Sequence, residues 1–491
     1  MKQIASVYCF FLPLVEITLM KKLLLAVITT CLLIPTKTFA QRISEGPGFT
    51  LVLCADGSAQ AWGANYVGQL GDNGTGEDSP IPVDVYDINN LVSIDAGTTF
   101  SLALKNDGSV WAWGDNTNGA CGDGTYETRF APVQVYGPDS VTFFDNVQDI
   151  AAGNQVALAL KNDGTVWSWG SGYRGVAGVN DPNGIHHLYP VQVTGTDGIG
   201  FLENIIEIEV SDYSAYALKS DGTVWAWGEN MDAQLGDGTT INRFAPIQIP
   251  ELTDVVHITA GTSCAYAIKS DGTVWGWGGN DYGKLGTGTL DFTYSTPVQM
   301  LGVESAVAVA AGQHFVVILN NEGGVFTCGN NGDGQLGDGT VEDRSIADPV
   351  PGLSSIAEIS AGGKTALVMD NDGNLLAWGD NIVGQIGDGT LSDKWTPTYV
   401  ASACSMLLET NHFAHAQNSL VTYPNPGSNY VFLETDGLLN HTMNLFDING
   451  TLISTLIVNN PISSIDVRNL PAGIYVLRDS TDLTSTKIIV E

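Results

Sequence analysis

A glycine-marked unit of about fifty residues recurs seven times in this chain, and no other feature restricts its fold as strongly. An aromatic residue is followed by glycine at Trp62-Gly63, Trp113-Gly114, Trp169-Gly170, Trp227-Gly228, Trp277-Gly278 and Trp378-Gly379. Cys328-Gly329 fills the remaining slot, and the successive intervals are 51, 56, 58, 50, 51 and 50 residues. A second glycine stands 17 positions before each of these, at Gly46, Gly97, Gly153, Gly261, Gly312 and Gly362, with Ser211 the one departure. A third follows the second by 11 positions, at Gly57, Gly108, Gly164, Gly222, Gly272, Gly323 and Gly373. Three registers held through seven copies define a structural repeat.

Each copy translates into four strands. Val92 to Gly97 reads Val-x-Ile-x-Ala-Gly, an alternating strand that closes on a turn. Ser101 to Lys105 is the second strand, and Asn106-Asp107-Gly108 is a hairpin turn in which glycine supplies a positive φ. Ser109 to Trp113 is the third, with its two tryptophans on one face by the period of two. A glycine-punctuated loop, clearest at Gln234-Leu235-Gly236-Asp237-Gly238-Thr239, leads to a fourth strand such as Pro132 to Val135. The predicted fold is all-β: a seven-bladed β-propeller of four-stranded blades over residues 41–400, followed by a small C-terminal β-sandwich. Ring closure is expected because unpaired edges are a liability, with the final strand, Pro397 to Val400, meeting the first.

Charge narrows the function. Nineteen basic residues against 53 acidic ones give a net charge of −34, which argues against nucleic-acid partners and anionic membranes. Residues 1–40 reverse that balance with four lysines and one glutamate, so the remainder is nearer −37. From Met20, a possible true start, the segment reads as a signal peptide. Lys21 and Lys22 precede an apolar run from Leu23 to Ile34, and a small-residue site places cleavage between Ala40 and Gln41. That run is too short for a membrane anchor, so none is expected in the mature chain. The five cysteines beyond it have no recurring spacing and are expected mainly as buried small hydrophobes.

The run Ala96-Gly97, Ser101 to Leu104 and Asp107 to Gly114, followed in most copies by Gly-Gln-Leu-Gly-Asp-Gly-Thr, resembles the repeat of the regulator-of-chromosome-condensation family. The resemblance implies a seven-bladed propeller but fixes no activity. It also implies a precedent for protein recognition, since exported relatives of this repeat type include an inhibitor of β-lactamases. After a linker at 401–417, residues 418–491 contain Tyr423-Pro424-Asn425-Pro426, Gly473-Ile474-Tyr475 and the terminal Lys487-Ile488-Ile489-Val490. These resemble the type A C-terminal sorting domain of the type IX secretion system of Bacteroidota. The resemblance implies that the secretion machinery is a partner and that the protein travels through the periplasm to be secreted or attached to the outer-membrane surface.

No catalytic constellation, cofactor site or metal site is nominated. Gly-x-Ser-x-Gly, phosphate-loop and His-Glu-x-x-His motifs are missing from the sequence, and His412 and His415, three apart in the linker, are too few for a closed site. Asp72, Asp123, Asp237, Asp338 and Asp388 recur in the loop after the third strand and invite a calcium reading, but turn formation explains them without a metal. Function is therefore sought where the repeat is broken, because insertions map to loops. The two long intervals hold expansions at 137–146 and 195–204, and the third copy replaces its loop with Ser171-Gly172-Tyr173-Arg174-Gly175. Phe143, Phe144, Asp145, Tyr173, Arg174, Phe201 and Glu203 are the nominated contact residues for an extracellular protein or glycan. A non-enzymatic binding or adhesion propeller is the leading expectation. Guanine-nucleotide exchange, suggested by the family name, and action on a surface polysaccharide are the alternatives.

Overall fold

The computed structural model describes residues 42–401 and 403, and then 420–423, 430–435, 441–447, 452–458, 462–466, 468, 470–471, 473–479 and 485–490. The described residues fall into two compact units, divided between residues 406 and 407.

In the first unit, seven four-stranded antiparallel sheets follow one another along the chain, each with its strands in sequence order. Blade 1 consists of Ile43–Gly46, Phe49–Leu53, Ala59–Gly63 and Ser79–Asp84. The first strands of blades 2 to 7 are Leu91–Ala96, Val147–Ala152, Ile205–Val210, Val255–Gly261, Ala306–Ala311 and Ile356–Gly362. Because successive strands alternate in direction, loops joining strands one to two and three to four lie on one face, here called upper. The hairpins joining strands two to three and the connections between blades lie on the lower face.

The repeat glycines are explained by close approach. Gly114 has φ +103°, and a Cβ there would lie 2.6 Å from the Thr99 carbonyl oxygen, which instead accepts the Asp115 N–H at 2.9 Å. Glycine is therefore required where the third strand turns away, and the register to the fourth strand shifts at that point. A Cβ at Gly97 would meet the Gly153 carbonyl of the next blade at 2.6 Å.

The tryptophans join blades. The indole N–H of Trp113 donates to the Gln69 carbonyl of blade 1 at 2.9 Å, and Trp169, Trp227, Trp277 and Trp378 repeat this toward Ala120, Val176, Gln234 and Gln335. Where Cys328 replaces tryptophan, its thiol and the Tyr266 hydroxyl reach the Lys284 carbonyl instead. Each hydrophobic cluster is accordingly shared by two neighbouring blades, so the core is a ring of seams.

The ring closes, though not by the expected strand pairing. The last strand, Lys394–Tyr399, pairs only with Leu375–Gly379 of its own blade, and blade 1 is complete without it. Instead, blade 7 meets blade 1 through the same kind of seam as every other pair. Trp62 donates to the Gln385 carbonyl at 2.8 Å, and Ile43 and Val52 pack with Leu367 and Met369. Seven repeats of one seam satisfy the edges without a shared strand.

Cys121, Cys264 and Cys328 are free and buried, as expected for most of the cysteines, whereas Cys54 is disulfide-bonded. In the second unit, Leu420–Tyr423, Tyr430–Thr435 and Ile462–Asp466 form a three-stranded sheet. Leu452–Val458, His441–Asp447, Gly473–Asp479 and Ser485–Val490 form a four-stranded one, in that order.

Candidate functional site

The first strands of the seven blades line a central channel with a volume of about 680 Å³. Their apolar residues turn into the seams, and the intervening positions face the channel. In blades 1 to 5 and 7 these positions include Ser44, Asp95, Asp149, Glu207, Glu209, His257 and Glu358, whereas blade 6 contributes Ala308 and Ala310.

Several of these polar groups tie blades that share no strand hydrogen bonds. Asp95 accepts the Ser44 hydroxyl of blade 1 at 2.9 Å and the Ala152 N–H of blade 3 at 2.7 Å. Glu207 lies 2.6 Å from His257 Nδ1, linking blades 4 and 5. Glu358 of blade 7 accepts the Arg42 N–H at 2.8 Å and its Nε at 3.0 Å. Burial raises the pKa of the Asp95 carboxyl to about 6, outweighing the Ala152, Ser44 and Ala96 hydrogen bonds. Burial likewise raises Glu45 well above the usual carboxylate value, as well as Glu358 and Asp212.

These shifts have a definite sign. A carboxyl whose folded pKa exceeds its unfolded value of about 4 favours the fold most below that value, and the benefit is lost as pH rises through the folded pKa. The hairpin aspartates act oppositely. Asp107 is lowered by the Ser109 hydroxyl and N–H, so its contribution is present above about pH 4 and is lost on further acidification. The melting temperature is therefore expected to rise as pH falls from 7.5 to 5, then drop below about pH 3.5. Relief of the overall negative charge adds to the first limb, so Asp95→Asn supplies the control. A shallower rise in that variant is the expected result, and a rise of equal slope would remove Asp95 from the account.

The nominated contact residues divide. Phe143 and Phe201 are 49% and 54% exposed on the lower face, in the adjacent connections from blade 2 to 3 and from blade 3 to 4. Each expansion is a small hairpin closed by a bridge, Tyr136 to Phe143 and Thr194 to Phe201. Asp145 and Glu203 are exposed in the same connections. Phe144, expected with them, is 1% exposed and packs edge-on against Trp167 and Trp169, so it belongs to the core. Tyr173 and Arg174 lie on the upper face instead. Tyr173 meets Tyr213 edge-on with centroids 5.2 Å apart, and Arg174 pairs with Glu229 of the next blade. The seven residues therefore do not form one patch.

The loop aspartates have partners of their own. In blade 4, Asp237 accepts the Thr239 N–H and hydroxyl, the Asn230 side-chain amide and the Arg243 guanidinium. Arg129, Arg344 and Lys394 repeat this pairing with Asp123, Asp338 and Asp388. The sequence signal for this pairing is a basic residue six positions after the aspartate. These carboxylates are thus engaged in fastening the loop. Ala40, Gln41, Pro424, Asn425, Pro426, His412 and His415 lie outside the described residues. Tyr423, Gly473, Ile474, Tyr475 and Lys487 fall within strands of the second unit.

Residues 22–289 match the model of the RCC1-like domain, so the chain belongs to that family. Regulator of chromosome condensation (RCC1) repeats match at 271–319 and 322–369. Residues 421–491 match the secretion system C-terminal sorting domain, which implies export to the surface or the medium. No described helix is long and apolar enough to cross a membrane. Among curated proteins, the chain is 31% identical over 316 residues to the ultraviolet-B receptor UVR8 of Arabidopsis thaliana, covering 64% of this chain and 58% of that protein. It is 29% identical over 214 residues to the human E3 ubiquitin-protein ligase HERC2, covering 43% of this chain and only 4% of the ligase. Among solved structures, human WBSCR16 has a TM-score of 0.63 at 23% identity, covering 70% of this chain and 94% of that one. Yeast RCC1 (Prp20), solved bound to Kap60, has a TM-score of 0.62 at 18% identity, covering 79% and 88%.

Proposed function

We propose that this chain is an exported, non-catalytic binding propeller that contacts an extracellular protein or glycan through its lower face. The observation that carries the reading is the pair of neighbouring expansions between blades 2, 3 and 4. They depart from the repeat and expose Val141, Phe143, Ile199 and Phe201 together with Asp145 and Glu203. Aromatic and aliphatic side chains ringed by acids are suited to a partner with an apolar centre and a basic rim. Of the channel carboxylates, Asp95, Glu207 and Glu358 have interblade partners, which supports a structural duty for these three over acid–base catalysis. Nucleotide exchange and ligation belong to the relatives, and an exported acidic chain is poorly placed for either.

The test compares wild type with a Phe143→Ala/Phe201→Ala pair in capture of labelled cell-surface fractions and on a glycan array. The pair is expected to lose at least tenfold in capture while keeping its melting temperature within a few degrees. Undiminished capture would move the contact to the upper face, and turnover of a polysaccharide panel by wild type would overturn the non-catalytic reading.

A further inference from the structure

We propose that Cys54 forms a disulfide with Cys404, a covalent clasp that fastens blade 1 to the chain just beyond the last strand of blade 7. Cys54 is disulfide-bonded, whereas Cys121, Cys264 and Cys328 are free and buried. Cys9 and Cys31 stand in the segment read as a signal peptide. The exported chain is therefore left with one partner for Cys54, and that is Cys404, which lies outside the described residues. Described residues next to both cysteines lead to the same seam. Val52 and Cys54 are two positions apart at the end of the second strand, so they face the same side. Val52 packs with Leu367 and Met369 of blade 7, and Ala403, the residue before Cys404, packs against that same cluster. Cys54 also departs from the repeat. Three positions before the hairpin glycine, the other blades carry Lys105, Lys161, Lys219, Lys269, Asn320 and Asp370, all polar and partly exposed, whereas Cys54 is only 6% exposed.

The bond forms by oxidation of two thiols, which give up two protons and two electrons as the sulfurs join. An oxidant of the thiol–disulfide exchange class takes these up, its own disulfide becoming two thiols. Export supplies the setting, because disulfides persist outside the reducing cytoplasm, and the sorting domain at 421–491 implies export. The clasp answers a weakness of the closure. The last strand, Lys394–Tyr399, pairs only with Leu375–Gly379, and beyond it the Val400 and Ala401 N–H groups donate to the Leu375 and Gly387 carbonyls at 3.1 and 2.9 Å. A crosslink at 404 keeps this terminal strand from peeling away from the ring. It also joins positions 350 apart in sequence, so it removes much of the freedom of the unfolded chain. The clasp is independent of the lower-face contact, and either can fail with the other intact.

The experiment uses the full exported chain, purified without reductant. Thiol titration in guanidinium chloride is expected to find three reactive thiols before reduction and five after it. Non-reducing peptide mapping should recover one linked pair, carrying Cys54 and Cys404. Reduction should lower the melting temperature by at least about 3 °C. It should also quicken tryptic cleavage after Lys394 at least about threefold, while cleavage after Arg243, which opens the outer strand of blade 4, stays unchanged. A Cys54→Ser/Cys404→Ser pair should melt where reduced wild type does and should not respond to reductant. Thiol count and peptide map are read on wild type, so they decide the matter even where the variant fails to fold. Five reactive thiols before reduction, linkage of Cys54 to a different cysteine or to a second copy, or a variant pair that melts with unreduced wild type would each overturn the proposal.

Discussion

Phe144→Ala is expected to destabilise the propeller by roughly 3–5 kcal/mol, whereas Phe143→Ala, one residue away, should cost about 1 kcal/mol or less. The Phe144 ring is buried in the seam between blades 2 and 3, with centroids 5.8 Å from both Trp167 and Trp169, and Lys161 Nζ is 4.5 Å from its centre. Its truncation leaves a void that two rigid indoles cannot refill, because Trp169 is held by its bond to the Ala120 carbonyl. Phe143 loses only a stacked contact with Tyr136, centroids 5.1 Å apart, on an exposed surface. Chemical denaturation of the two variants checks this. Similar losses in both would place Phe143 in the core and remove it from the lower-face contact.

The sequence does carry the information that separates these neighbours. A buried apolar residue stands three positions before the first strand in successive blades, at Ile88, Phe144, Leu202 and Leu252. One residue intervenes, followed by a residue with positive φ: Asn90, Asn146, Asn204 and Asp254. Phe144 falls in that register when the expansion is aligned from its far end, where it stands three positions before Val147. The blades were legible because their glycines answer steric demands that no other residue meets, as at Gly97 and Gly114. Closure was harder. Edge protection requires every strand end to be satisfied, but it does not require a shared strand when tryptophan and leucine seams can serve. The channel was missed for a related reason. In Val-x-Ile-x-Ala-Gly the apolar half identifies the strand, while the intervening positions, which vary from Asp95 to Ala310, hold the chemistry. Their common location appears only once seven strands surround one axis.

The seam between blades 7 and 1 offers the second large effect, because there the ring is joined by residues 316 positions apart in sequence. Arg42→Ala is expected to cost roughly 1.5–3 kcal/mol at pH 7.5. The Glu358 carboxylate keeps the Arg42 and Ile43 backbone N–H donors but loses the guanidinium, its compensating charge. Burial already raises the Glu358 pKa, with the Arg42 charge offsetting part of that rise. Removing Arg42 therefore raises it further. Since a raised carboxyl pKa favours the fold below about pH 4.3 and loses that benefit as pH climbs through the folded value, the variant's deficit should be largest at pH 7.5 and shrink toward pH 4.5. The damage should also be local. Hydrogen exchange is expected to quicken in Ile43–Gly46 and Ile356–Gly362 before it does in the Trp169 and Trp227 seams, which retain their own indole bonds. A deficit independent of pH, or exchange quickening equally around all seven blades, would show that Arg42 contributes no special closure and that the seam is held by Trp62 and its apolar neighbours alone.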